Sequence, residues 1–588
     1  MNAASKLPET PEGRRRLNRP TYYVLLIVAL LCPYGLLLWR LDLSQLPDVD
    51  YWFMFLQIWN PDGTLNFPGF FEVWNQHFMV PGKMLYVVNT YLTGGSNYGL
   101  VACAMGLSFF CSLIISVFFL KAVPPGFDLA RISAVFAIAT SMTPVMGSHL
   151  FQMGMSGTQW FLANLLAILA LAVQNHAWTR QGRSGWLAIT LAGFLAFLGC
   201  LSYGTGYAIL PALIFLAFLA RRPRSEILLL LPWLVFSFAL FLYAQARPLT
   251  EGEITRYFGE QGEQLPAIAR IVLIPASLVG GLFTDNFAVS ITIALPCFAL
   301  FAGFLYILFK KHAEIKRLTY FFFGISLFSG GAILVISLAR FERIMEFTMT
   351  QSRYYSLPAL FLLGLLSVMI LTMLQYRDRL PFNRVALLAM ALPILLAVGI
   401  LIREPFFWKI HTLQKERGAI YLRLGEVPED LGIFPQKGQG FEHLYQALSH
   451  LNHYPFNDSH PLHAKLGQTL PERRGVLPLL KFGTDPLSEN TSKAGGVARL
   501  PRGERLKYVY LTDQHGVVIG AAQPGYEMFL DKEAFPADAV YFQGAVRSRS
   551  GEREGERVLI YGVLEGQEGV FRIAATADPA PPVPREKG

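Results

Sequence analysis

Arg14-Arg-Arg-Leu-Asn-Arg19-Pro-Thr21-Tyr-Tyr-Val-Leu-Leu-Ile-Val-Ala-Leu-Leu-Cys32-Pro-Tyr-Gly-Leu-Leu-Leu-Trp39-Arg40-Leu-Asp42-Leu-Ser-Gln-Leu-Pro-Asp48-Val-Asp50-Tyr-Trp52 is the stretch on which the fold turns. Four arginines precede an apolar run, residues 21–41, long enough as a helix to cross a hydrocarbon core of about 30 Å. Carboxylates follow at once. A single run of this kind could be a signal segment, but the pattern recurs along the chain and therefore builds a membrane domain. Composition agrees: of 588 residues, 53% are hydrophobic and 15% charged, against about 25% charged in a water-soluble protein.

Further apolar runs fall at 98–120, 132–150, 157–173, 185–200, 203–220, 227–246, 288–309, 318–338, 355–374 and 385–402. With the first they predict about eleven transmembrane helices. The basic residues test that count independently. Lys121 and Arg131, then Arg180 and Arg183, Arg221, Arg222 and Arg224, Lys310, Lys311, Lys316 and Arg317, and Arg377, Arg379 and Arg384 all fall in connections on the same side as the N-terminal arginines. The positive-inside rule makes that side the cytoplasm. The stretch 266–283 carries Arg270 and Pro275 and reads as a re-entrant or surface-lying helix on the outer side. The alternative, twelve spans, would place the basic residues 310–317 outside.

This layout predicts a multi-pass protein of the bacterial inner membrane. It has a cytoplasmic tail (1–20), a transmembrane domain (21–402) with a long first periplasmic loop (42–97), and a periplasmic C-terminal region. The net charge of +9 belongs to the topology, and nothing indicates nucleic-acid binding. All five cysteines lie in predicted spans, so the outer region has no disulfide framework. Residues 403–495 read as helices and loops, with Phe441, Leu444, Leu448 and Leu451 at near-helical spacing. Residues 496–576 read as a small antiparallel, sandwich-like β-module. Its strands fall near 508–511, 517–519, 539–542, 557–563 and 569–574, with Asp513-Gln-His-Gly516 as a turn. Pro-rich 577–588 reads as a disordered tail.

Candidate chemistry concentrates in the first outer loop, about 55 residues of it, where Trp52, Trp59 and Trp74 argue for helices lying in the membrane interface. Asp48 and Asp50, on extended backbone, can both reach a divalent cation such as Mg or Mn. Either could instead act as a general base towards a hydroxyl. The alternative is a solvated acidic loop. Phe71-Glu72-Val-Trp-Asn75-Gln76-His77-Phe-Met-Val-Pro81-Gly-Lys83 forms a second polar cluster. There His77 suits a substrate oxygen and Lys83 a phosphate. The alternative for His77 is packing under aromatic rings. Arg353 and Tyr354 lie in an outer connection where arginines run against the charge trend, and a lipid phosphate would account for one. Walker, dinucleotide-binding and HExxH motifs are absent, which argues against an ATP-driven pump.

The acidic motif after the first span, the long first outer loop, the many further spans and the outer C-terminal region together resemble the GT-C superfamily of polytopic glycosyltransferases. The resemblance is nearest to a bacterial group with an Asn-Glu-His-Arg stretch in that loop. Here the stretch reads Asn75-Gln76-His77-Phe78, followed by Pro81 and Lys83. The Ser202-Tyr-Gly-Thr-Gly206 turn and Ser352-Arg353-Tyr354 are also similar to that group. Gln76 and Phe78 depart from the pattern, so the expected catalytic acid is Asp50 or Asp48, which stand where the superfamily places its own. The resemblance implies an α-helical GT-C-like fold and hexosyl or pentosyl transfer from a polyprenyl-phosphate donor to a glycolipid, polysaccharide or protein acceptor. Glu72, Asn75, His77, Lys83, Arg353 and Tyr354 would bind substrate. The rival expectation is a non-enzymatic membrane protein of envelope glycan assembly or lipid-linked glycan transport, in contact with membrane lipids in either case.

Overall fold

The computed structural model describes residues 18–246, 267–340, 354–375 and 405–574. Within these it leaves out 42, 48, 75–76, 125–127, 144–150, 152, 181, 284–285, 312–314, 427–438, 458–459, 461–464, 471–472, 489–490, 526–537, 548–557 and 568. The chain divides into two compact units. One comprises Met1–Leu41, Phe71–Gly82 and Val101–Glu404; the other comprises Asp42–Phe70, Lys83–Leu100 and Pro405–Gly588.

The helices, in chain order, are α1 (Arg19–Arg40), α2 (Val49–Ile58), α3 (Val80–Thr93), α4 (Asn97–Ala122), α5 (Asp128–Met142), α6 (Gly154–Ala177), α7 (Arg183–Ser202), α8 (Ile209–Leu219), α9 (Arg224–Ala246), α10 (Ala267–Gly280), α11 (Phe287–Lys310), α12 (Arg317–Arg340), α13 (Ser356–Gln375), α14 (Pro405–Arg423) and α15 (Gln439–His450). Eight of them (α1, α4, α6, α7, α9, α11, α12 and α13) are long and apolar enough to cross a membrane, making this a multi-pass membrane protein. They match eight of the expected spans. The expected spans at 132–150 and 203–220 are represented by α5 and by a 3-10 turn (Gly204–Ala208) leading into α8; that at 385–402 lies outside the described residues. In α10, fourteen residues rise about 21 Å, short of a full crossing.

Helix starts are written locally. Asn18 caps α1 by accepting from Thr21 N at 2.9 Å, and Asn286 caps α11 by accepting from Val289 N at 3.1 Å. Burial then sorts the helices. The apolar windows of α12, α6 and α13 are 72%, 67% and 67% buried, whereas those of α9 and α11 are each 17% buried. The first three form the centre of the bundle and the last two its periphery. One end is closed by Glu226, which accepts from Trp178 Nε1 at 3.0 Å and pairs with Arg222 at 2.7 Å. This is the end that carries the basic connections.

The second unit contains a closed barrel built from β1 (Arg473–Ser488), β2 (Thr491–Arg499), β3 (Leu506–Thr512), β4 (Val518–Pro524), β5 (Ala539–Arg547), β6 (Leu559–Leu564) and β7 (Val570–Ala574). The order is β1-β2-β5-β4-β3-β6-β7, and a parallel β1–β7 pair closes it. A barrel therefore replaces the expected sandwich-like module. It also starts earlier than residue 496, because β1 occupies a stretch read as loop. Gly475, Pro478, Gly483 and Pro486 break the alternation of β1, and register shifts near Leu479 and Pro486 absorb them. The expected turn is present: Asp513 Oδ1 accepts from the backbone N of His515 and Val517, both at 2.9 Å. Val509, Leu511, Phe542 and Ile560 belong to the core cluster of the barrel, while Ile420, Tyr421 and Leu424 pack with Tyr510, Val518 and Ala545.

In the same unit, parts of the first outer loop fold together with the C-terminal region. Glu416 of α14 accepts from Ser44 Oγ at 2.6 Å, Gln45 N at 3.0 Å and Tyr454 OH at 3.0 Å. His453 lies buried among Tyr51, Trp52 and Phe55 of α2. Its Nδ1–H donates to Tyr454 O at 2.9 Å, because a carbonyl can only accept, so Nε2 accepts from Tyr51 OH at 2.9 Å. Burial pushes its pKa down from 6.5 to about 4.

Candidate functional site

Within the membrane unit, three sequence-distant stretches meet. The first is Trp74 and His77, joined by Trp74 N donating to His77 O (2.9 Å) and His77 N donating to Trp74 O (2.8 Å). Phe78 and Val80 pack on Ala244 and Leu201. Met79 takes φ 89°, a costly backbone for a non-glycine residue, and its N donates to Leu201 O at 2.9 Å. Gln159 Nε2 also donates to the Met79 sulfur, at 2.9 Å.

The second stretch is the turn after α7. Tyr203 ends the helix on extended backbone, and its ring lies 4.7 Å from that of His77. A Cβ on Gly204 would fall 2.4 Å from His77 Cε1 and 2.5 Å from Nδ1, so only glycine lets the imidazole approach this closely. The third is the start of α13. Trp160 of α6 links it to the others: its ring is 4.9 Å from Tyr203 and 5.7 Å from Tyr354. The resulting row, His77–Tyr203–Trp160–Tyr354, stands at the end of the bundle opposite Glu226 and the basic connections. Trp160 and Tyr354 are buried, while His77 keeps partial exposure.

Of the sequence-predicted site residues, His77 and Tyr354 come together here through Tyr203 and Trp160. Glu72 is exposed, five residues before His77. Lys83 belongs to the other unit; it is fully buried, and its ammonium donates to Gly69 O at 2.6 Å. Asp48, Asn75 and Arg353 lie outside the described residues. Asp50 is described in its backbone alone, in the first turn of α2. Among the described residues, no three His, Cys, Asp or Glu side chains come together in a way that could hold a metal ion. Sequence reasoning missed Trp160, which has no local signal in an apolar helix.

The arrangement suits a ligand with a flat apolar face and polar edges: aromatic rings offer a stacking surface, and His77 beside them can donate or accept a hydrogen bond. Fold and site together define a multi-pass helical membrane protein with an aromatic cluster at one end of its bundle and a β-barrel in a second unit. No family model matches the chain, and no curated protein matches it. Among solved structures it is similar to the archaeal oligosaccharyltransferase AglB from Archaeoglobus fulgidus in complex with an inhibitory peptide and a dolichol-phosphate. That match has 14% identity over 76% of this chain and 65% of that one, with a TM-score of 0.37. The Archaeoglobus fulgidus oligosaccharyltransferase in the apo form matches at 13% identity over 76% and 66% of the two chains, TM-score 0.39. The same protein in complex with Zn and sulfate matches at 15% over 77% and 59%, TM-score 0.33. The chain spans less than two thirds of the length of each.

Proposed function

We propose that this chain is a GT-C-type glycosyltransferase of a bacterial inner membrane, with its N-terminus cytoplasmic and its barrel periplasmic. It takes a sugar from a polyprenyl-phosphate donor and passes it to a hydroxyl of a glycolipid, polysaccharide or protein. The observation that carries this is the convergence of His77, Tyr203-Gly204 and Tyr354. Each comes from a stretch that resembles the same transferase group, and the three meet in one aromatic cluster.

In the proposed step the acceptor oxygen attacks the anomeric carbon of the sugar. A carbon–oxygen bond forms to the acceptor and the bond to the lipid phosphate breaks, the phosphate leaving with the electron pair. Asp50 or Asp48 takes the acceptor proton. A divalent cation held by these two carboxylates would supply Lewis-acid stabilisation of the leaving phosphate. Arg353 meets that phosphate as a fork of donors, the aromatic row stacks the sugar, and His77, Glu72 and Asn75 take its hydroxyls. Lys83, whose ammonium is committed to the Gly69 carbonyl, supports the loop from within.

A second reading, lipid-linked glycan transport, is favoured by one observation. Asn164 of α6 is fully buried, and among the described residues neither amide atom has a hydrogen-bond partner. Buried polar groups at such depth often mark a substrate path.

The test is transfer by purified protein from cell-derived polyprenyl-phosphate sugars, comparing wild type with Asp50→Asn, Asp48→Asn and Arg353→Ala. We expect a loss on the order of a hundredfold or more in one aspartate variant that remains folded. Equal turnover in wild type and both aspartate variants would remove the assignment of the base. Flipping of the lipid-linked donor across a vesicle membrane without transfer would establish the transport reading instead.

A further inference from the structure

The helix α8 ends on an unusual residue. Arg221 N donates to Phe218 O at 3.0 Å and Arg222 N to Ala217 O at 2.9 Å, the crossed pair of bonds with which a helix closes on a left-handed residue. That residue is Arg221, at φ 49°. Glycine is the favoured occupant of such a position, because a Cβ makes this backbone costly. An arginine kept there in spite of the strain points to a use for its side chain.

Arg221 is exposed at the rim of an aromatic surface. Phe218, in the last turn of α8, is 55% exposed, and its ring lies 6.4 Å from that of Phe309, which is 46% exposed near the end of α11. Phe215 stacks on Phe218 at 6.3 Å and extends the surface along α8. Lys310 follows Phe309, is exposed, and lies 6.0 Å over the Tyr306 ring one turn earlier in α11. Two helix ends whose rings meet therefore each carry a cation just beyond the aromatic surface. Trp178 and Tyr320, with rings 6.0 Å apart, stand at the same end, and Arg221 is within electrostatic reach of Tyr320. Tryptophan and tyrosine mark the headgroup level of a membrane protein, with lipid chains against the apolar rings below.

The neighbouring charges leave these two cations available. Glu226 is committed to Arg222 at 2.7 Å and to Trp178 Nε1 at 3.0 Å, and Arg222 also lies 5.5 Å over the Trp178 ring. Glu314, in the connection after Lys310, lies outside the described residues. Among the described residues, neither Arg221 nor Lys310 forms an ion pair.

We propose that α8 and α11 hold an anionic phospholipid of the leaflet on the side of the basic connections. Its phosphate sits between Arg221 and Lys310, the first as a fork of donors and the second as a point charge. An acyl chain lies along Phe218, Phe309 and Phe215. A zwitterionic lipid brings a cation of its own to a cluster that is already positive, and is disfavoured. Free phosphate satisfies the charge but offers nothing to the rings.

The experiment is native mass spectrometry of the full-length protein in detergent, titrated with phosphatidylglycerol or phosphatidylcholine of equal chain length, with inorganic phosphate as competitor. Arg221→Gly, Lys310→Gln and Arg183→Gln are compared with wild type, the last removing an exposed cation from the start of α7. We expect one phosphatidylglycerol to bind roughly tenfold tighter than phosphatidylcholine. Arg221→Gly and Lys310→Gln should each weaken it roughly tenfold, Arg183→Gln should leave it unaltered, and phosphate at equal concentration should not displace it. Glycine suits the backbone at 221, so Arg221→Gly should unfold no earlier than wild type without lipid, which separates lost binding from lost folding. Equal affinity for the two lipids, unaltered binding in Arg221→Gly, an equal loss in Arg183→Gln, or full displacement by phosphate would each overturn the proposal. The readout is lipid binding rather than turnover, so the transferase reading stands or falls on its own test.

Discussion

In the membrane bundle, Tyr34 OH reaches Ser108 and Ser112 at 3.1 and 2.8 Å, Ser108 Oγ donates to Met142 O, and Ser326 Oγ donates to Phe361 O. Each is a neutral hydroxyl bond between helices. In the second unit, one carboxylate, Glu416, gathers donors from Ser44, Gln45 and Tyr454, and the fully buried His453 and Lys83 are held by backbone carbonyls. The two regions meet different solvents. Lipid gives helices no hydrophobic reason to associate, so small residues, ring stacking and modest hydroxyl bonds join them. In a water-facing fold an unpaired charge is tolerated only at the surface, and a buried one has to be fully bonded. The first outer loop shows the consequence: residues more than 350 positions apart in the chain are pinned by a single carboxylate.

The largest test of this contrast removes that carboxylate. Glu416→Ala strips the acceptor from three donors and is expected to cost about 4 kcal/mol, read as a drop in the unfolding midpoint of the full-length protein. A loss under about 1 kcal/mol would mean the second unit does not depend on its polar centre.

Acid is the next lever. Burial pushes the pKa of His453 down from its ordinary 6.5 to about 4 in the folded chain, so between those values the unfolded chain binds more protons. The contribution of His453 is therefore complete above pH 6.5, falls as pH drops towards 4, and levels off below that. The total loss is about 3 kcal/mol. Denaturation across that window should show the slope in wild type and a shallower one in His453→Phe; equal slopes would assign the acid response elsewhere.

In the bundle the expected effects are smaller on stability and more selective for function. Gly204→Ala drives a methyl into the His77 ring and is expected to cost about 2 kcal/mol. Sugar transfer should fall roughly tenfold through a raised KM for the donor. Transfer at the wild-type rate would separate the aromatic row from the chemistry. Smallest, Tyr34→Phe removes one neutral hydroxyl from a pair of serines, for about 1 kcal/mol by thermal unfolding. A loss as large as that of Glu416→Ala would erase the distinction between the two regions.

The legible part of the site was its local part. Asn75-Gln76-His77, Ser202-Tyr-Gly-Thr-Gly206 and Arg353-Tyr354 stand out as polar or glycine-rich interruptions of apolar sequence, and His77, Tyr203 and Tyr354 do meet. Trp160, which joins them, was not legible, because one tryptophan in an apolar helix has no pattern that names its neighbours. Lys83 stood out by its charge, which suggested a phosphate; in the fold its ammonium donates to the Gly69 carbonyl, a group with no sequence signature. The strand β1 was hidden by its prolines and glycines, whose cost is met by register shifts visible only once β2 and β7 flank it.

By itself the sequence determined the membrane character, eight of the helices, the turn at Asp513 and the strands β3 to β7, because hydropathy, capping and turn chemistry act over a few residues. Tertiary structure alone decided that the barrel closes through a parallel β1–β7 pair and that the first outer loop is shared between two units. It also decided which rings line the site. Those outcomes depend on contacts between segments tens to hundreds of residues apart, and their free energy exists only when both partners are already in place.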